Sequence, residues 1–179
     1  MIKSTKEVKV YFITMPAHKF LHIKNYESNG YWDFSEKQEK IPGQGCHEIC
    51  GLLNSISGRL DSKADDTGNF SGHIMAHIYE NNGKIAEAYG VRLSINFVGQ
   101  IPENMYFIDI PEMEYIVFEH GPFNYEEENE SVGIKLEEVI KSFDYSKTEY
   151  KLDTSSGRIG YFYHYPEIYM KHIKPVIKK

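Results

Sequence analysis

The chain is poor in the residues that build covalently or metal-held scaffolds. Its 179 residues include two cysteines and one tryptophan. Cys46 and Cys50 stand four apart, so on a helix they share a face, where a disulfide is geometrically awkward. His47 lies between them, but no second ligand pair at a finger-like spacing follows, so no metal is expected and the thiols read as small hydrophobes. No apolar run approaches the roughly 18 residues of a membrane helix, which argues against a membrane role. The opening MIKSTKEVKVYF lacks the apolar core and cleavage site of a signal peptide, so a cytoplasmic location is expected. A net charge of −6 argues against a large phosphate-neutralising surface, so no direct nucleic-acid binding is expected. No GxSxG, P-loop or GxGxxG is present, which removes the acyl-transfer elbow and the nucleotide cradle. No cofactor is expected.

What is abundant is tyrosine, 14 of them beside 10 phenylalanines. Tyr pairs an apolar ring with a polar tip and suits half-buried sheet faces and ligand cavities. The hydrophobic and charged fractions, 41% and 26%, exclude wholesale disorder. Residues 7–26 read as a strand interrupted at Met15-Pro16-Ala17. Residues 31–40 read as a short helix. Residues 46–60 carry Ile49, Leu52, Leu53, Ile56 and Leu60 on one helical stripe. A polar loop, 61–72, precedes two strands, 73–80 and 84–95, joined at Asn81-Asn82-Gly83.

The second half repeats that order. Residues 105–121 form a strand broken by a proline. Residues 126–143 form a helix with Val132, Leu136, Val139, Ile140 and Phe143 inward and Glu126, Glu127 and Glu128 in its first turn. Residues 147–153 and 158–165 read as a hairpin around Thr154–Gly157, followed by a basic closing strand. Pro16–Ile23 lies over Pro111–Phe118 in pattern, an offset of 95 residues. The expected fold is therefore α+β: one domain over 1–179, built of duplicated β-α-β-β modules at about 5–97 and 103–179. Each helix has one apolar stripe, so the two main helices are expected on one face of an antiparallel sheet and a ligand cleft on the other.

Strand parity then sorts the side chains. With Leu21, Ile23, Ile74, Ile78, Ile116 and Phe118 under the helices, the open face receives Phe20, His22, Met75, His77, Tyr79, Tyr115 and Val117. Glu87 pairs with Tyr89 on one face, and Tyr161, Tyr163 and Tyr165 on another. If these faces coincide, an aromatic trough with a carboxylate results, suited to flat, apolar, cationic molecules. Trp32, between Tyr31 and Phe34, either lids a cavity or staples its helix to the core. His73 and His77 share a strand face without the glutamate of HExxH, so no metal is expected there. Glu119-His120-Gly121 reads as a turn leaving a strand.

Several stretches resemble the GyrI-like superfamily, most of all the effector-binding domain of AraC-type bacterial transcription regulators. They are Tyr31-Trp32-Asp33-Phe34, Ile41–Cys46 with Ile49–Leu53, Ala88-Tyr89-Gly90-Val91, Tyr115–Pro122 and Lys174-Pro175-Val176. The resemblance covers about residues 5–179. It implies a pseudo-two-fold fold with a ligand cleft between the modules, aromatic walls, and a glutamate near the end of the second module that meets a cation. Glu149, followed by Tyr150, is the candidate acid, with Glu87 or Glu167 in reserve. The implied ligand contacts are Trp32, Phe20, Met75, Tyr79, Glu87, Tyr89, Tyr115, Glu149, Tyr161 and Tyr163. Such regulators carry a helix-turn-helix, for which no room exists before the first strand. DNA binding is therefore expected only from a separate regulator, and a stand-alone binder of small hydrophobic or cationic molecules is the leading expectation. Some relatives hydrolyse reactive electrophiles, which would make Glu149 or Glu87 a general base. A gyrase-inhibiting branch implies a protein partner, for which the acidic stretch Glu112–Glu130, free of Lys and Arg, is the candidate surface.

Overall fold

A computed structural model describes residues 7–60, 63–64, 70–71, 74–80 and 83–179. The chain is α+β, an antiparallel sheet curled into a half-barrel with three helices. The elements are β1 (Lys9–Met15), β2 (His18–Asn25), α1 (Tyr31–Glu39), α2 (Cys46–Asn54), the short β3 (Lys63–Ala64) and β4 (Phe70–Ser71), β5 (Ile74–Tyr79) and β6 (Ile85–Ser94). The second half supplies β7 (Tyr106–Ile110), β8 (Met113–His120), α3 (Tyr125–Ser142), β9 (Tyr150–Leu152), β10 (Ile159–Tyr165) and β11 (Tyr169–Lys178).

The main sheet runs β1-β8-β11-β10-β5-β6-β2-β7. Read from either edge, equivalent strands of the two halves appear in the same order, so a pseudo-two-fold axis passes between β5 and β10. The offset of 95 residues carries His18–Asn25 onto Met113–His120, the bounds of β2 and β8. The proline breaks at Pro16 and Pro111 have a topological use. β1 does not pair with β2 but crosses to β8, while β7 crosses back to β2. Each half thus lends an edge strand to the other.

Helix boundaries follow local chemistry. Asn124 caps α3 by accepting from the Glu126 and Glu127 amides, and the Glu128 carboxylate accepts from the Asn124 amide in return. Gly30 caps α1 with φ of 86°, a left-handed conformation that glycine adopts without a Cβ clash. Helix α2 stops at Asn54, short of the expected residue 60, and Leu60 is exposed.

One expected pairing is corrected. β9 and β10 both run antiparallel to β11, so they point the same way and cannot form a hairpin with each other. The polar stretch between them is a bulge along one interrupted strand; the Gly157 amide bonds the Tyr79 carbonyl at 2.7 Å. Turn chemistry at Ser155-Ser156-Gly157 is the same for both outcomes, so local sequence does not separate them.

Packing divides into three clusters. Under α1 and α2 lie Leu21, Ile23, Met75, Val91 and Leu93 with Phe34, Ile49 and Leu53. Under α3 lie Ile116, Phe118, Met170 and Val176 with Val132 and Leu136. The face without helices holds Phe20, Ile74, Ala76, Ile78, Tyr115, Val117, Ile159, Tyr161 and Tyr163. Gly90 of β6 faces this side, where an added Cβ would sit 2.1 Å from the Leu21 carbonyl oxygen.

Candidate functional site

Two expectations about the uncovered face are corrected. Phe20, Tyr115, Tyr161 and Tyr163 do meet there, with Phe20 and Tyr161 rings edge-on at 5.5 Å and Tyr115 and Tyr161 centroids at 6.4 Å. They do not line a hollow. The curled sheet closes on its own side chains, and all four are buried. The Tyr161 hydroxyl bonds His18 Nε2 at 2.6 Å inside this core. The parity of β5 is also inverted. Ile74, Ala76 and Ile78 point into the curled core, so Met75, His77 and Tyr79 point to the helix side. Both faces of β5 are apolar, so alternation alone assigned them wrongly.

Four of the implied contacts therefore sit on the helix-covered face: Met75, Tyr79, Glu87 and Tyr89. There α1 and α2 cover one half of the sheet and α3 the other, leaving the central strands β5, β10 and β11 beneath a groove. His77, Tyr79, Gly160, Phe162, His172 and Lys174 line it. Its enclosed volume is about 20 Å³, room for a single water.

A transverse row of residues organises this groove. Glu87 is the register partner of His77, and His77 that of Gly160. Gly160 in turn lies beside Lys174, whose Cα would be 4.0 Å from an added Cβ. Having no side chain, Gly160 opens the gap between His77 and Lys174. Two residues along the strands, the rings of Phe162 and His172 meet at a tilt, centroids 4.7 Å apart, and wall the groove.

Glu87 is buried; its Oε1 accepts from the Gly30 amide, at the start of α1, at 3.1 Å and lies 3.0 Å from His77 Nε2. The positive end of the helix favours a carboxylate there. Glu87 Oε2 is buried without a hydrogen-bond partner. Tyr89 contacts Cys50 Sγ through its hydroxyl at 3.3 Å, and burial, then that contact, raises its pKa. Burial raises the pKa of Cys50 as well, so its thiol is protonated at neutral pH. Burial drops His172 to about 3, helped by Lys174 and His77, so this ring is neutral. Burial also lowers the pKa of Lys174.

Glu149 and Trp32 stand apart from the groove. Glu149 has 68% of its side chain exposed, 4.0 Å from Lys178. Trp32 is 72% exposed and packs edge-on against Tyr31. His73 lies outside the described residues. Acids of the Glu112–Glu130 stretch have internal partners: Glu114 accepts from Tyr150, Glu119 from Tyr11, and Glu128 from the α3 cap. Sequence reasoning left His172, Lys174 and Gly160 out of the contacts. The one available signal was the glycine inside an otherwise aromatic strand, which marks a close approach or a gap.

No family model matches the sequence, and no curated protein matches it. Solved structures do resemble the fold. A Staphylococcus aureus MU50 protein named for bacterial transcription regulation is 16% identical, with 94% of this chain and 97% of that chain covered and a TM-score of 0.55. SAV2435 bound to tetraphenylphosphonium is 14% identical over 94% of both chains, TM-score 0.54. A hydrolase from Listeria innocua is 13% identical over 97% of this chain and 94% of that one, TM-score 0.51. These likenesses show the fold alone. Among the described residues no helix is long and apolar enough to cross a membrane.

Proposed function

We propose that this chain is a small-molecule-binding domain that takes a flat, ring-bearing ligand, cationic at one end, into the groove between its two helical units. The observation that carries the reading is the uncovered seam at Gly160, walled by Tyr79, Phe162, His77 and His172 and backed by the buried acid Glu87. The unpartnered Oε2 of Glu87 supports a cation at that end, since a desolvated carboxylate gains most from a counter-charge. SAV2435, which has a similar fold, is bound to a lipophilic cation, and this lends the reading support. A ring cannot enter a space of 20 Å³, so the half-exposed His77 and its neighbours must swing aside on binding.

Isothermal titration with tetraphenylphosphonium is expected to show binding that weakens about ten-fold or more in Glu87→Gln, a loss in the range of hydrogen bonds to charged groups. Glu149→Gln should leave it unchanged. A folded wild-type protein giving no heat with this cation or with two-ring amines would overturn the reading.

The close approach of His77 Nε2 to Glu87 Oε1, 3.0 Å, favours a second reading, hydrolysis of a reactive electrophile. A carboxylate-oriented imidazole facing a groove can take a proton from water. On this reading His77 is the base and Glu87 orients it. Turnover of a strained electrophile should then fall at least a hundred-fold in His77→Ala and persist in Glu149→Gln. Equal turnover in wild type and His77→Ala would remove the mechanism.

A further inference from the structure

The groove has two poles, and the binding reading above accounts for only one of them. At the far end of the row stands Lys174. It is half-buried and makes no hydrogen bond or ion pair among the described residues. Its situation differs from that of the chain's other lysines with largely buried side chains. Lys19 reaches Asp109 at 2.6 Å, Lys24 reaches Glu80 at 3.0 Å and Lys171 reaches Glu119 at 3.8 Å. Lys174 faces Ile116 on one side and the gap over Gly160 on the other, with the neutral ring of His172 on its own strand. The carboxylate in its row, Glu87, is three strand spacings away, about 14 Å between backbones. That carboxylate already accepts from the start of α1 and has His77 Nε2 3.0 Å away.

An ammonium taken partly out of water with no counter-charge is unfavourable, and such groups in folded proteins are ordinarily paired. The row therefore reads as acid, imidazole, gap, ammonium. We infer that the ligand of this groove is amphoteric: a flat ring system whose oxyanion, a carboxylate or phosphate, is received by Lys174 across Gly160, opposite the end that faces Glu87. The inference rests on the binding reading above and specifies the chemistry of its ligand.

The test compares two rigid two-ring probes by isothermal titration. One is 4-(aminomethyl)biphenyl, and the other is the same amine carrying a carboxylate on the far ring. The wild-type protein is expected to bind the amphoteric probe at least ten-fold tighter. Lys174→Met should erase that difference, and Lys174→Arg should keep it. The melting temperature of Lys174→Met establishes that the variant folds; if it does not fold, Lys174→Gln takes its place. Equal binding of the two probes, or a difference that survives in Lys174→Met, overturns the inference while the binding reading stands. If neither probe nor tetraphenylphosphonium binds folded wild-type protein, both fall together.

Discussion

Replacing Tyr161 by alanine is expected to destabilise the fold by about 3–5 kcal/mol, the range for removing a large buried ring. Tyr161 is 2% exposed and packs against Phe20, Tyr115 and Tyr163. Its loss would also strip the 2.6 Å partner from buried His18, which adds about 1–3 kcal/mol if no water enters. Tyr161→Phe isolates that second contribution, because it keeps the ring and loses only the hydroxyl. Tyr125→Ala, at an exposed ring, serves as the control and should cost little. Urea unfolding midpoints read all three. A Tyr161→Ala loss under about 1 kcal/mol would mean that the ring borders open space, and the closed core on the uncovered face would have to be abandoned.

The second large effect is acid sensitivity that begins well above the carboxylate range. His22 is buried between the rings of Phe20 and Tyr106, and desolvation holds it at about 4. His172 is held at about 3 by burial, with Lys174 and His77 adding to it. In the unfolded chain both titrate near 6.5. Between those values the unfolded state binds protons that the folded state refuses, so stability falls as pH falls. Each histidine contributes about 1.4 kcal/mol per pH unit, and the pair about twice that, from roughly pH 6.5 down to about 4. Below that His22 contributes no further loss, and His172 continues to about 3. His164, lowered by burial, acts in the same sense. The pair removes about 7 kcal/mol by pH 4, a large share of a total stability of about 5–15 kcal/mol. Urea midpoints at pH 7, 6, 5 and 4.5 should slope accordingly, and His22→Phe, which preserves the ring stack, should lose about half of the slope. A midpoint unchanged from pH 7 to 5 would show that these rings are protonated in the fold.

Much of the architecture was legible in the residues. The offset between Pro16–Ile23 and Pro111–Phe118 marks β2 and β8, and the single apolar stripes of α2 and α3 put the helices on one face. The acidic first turn of α3 was readable as a helix start. Less legible was which face of each inner strand met which partner. β5 is apolar on both sides, so its parity depended on the neighbouring strands. The exchange of β1 and β7 between the halves was invisible for a related reason. An edge strand's sequence says that it will be paired on one side, and not with whom.

The residues alone determined the class of fold, the duplication and the helix-covered face, because these follow from periodicities of 2 and 3.6 within short stretches. Only the tertiary structure decided which side chains meet on each face of the sheet. The curl of the sheet brings Phe20, Tyr115 and Tyr161 into contact and closes the face that lacks helices. The meeting of the β5–β6 and β10–β11 pairs then aligns Glu87, His77, Gly160 and Lys174 from the two halves of the chain. Such a row is a property of strand register between distant segments, and nothing local in any one of them encodes it.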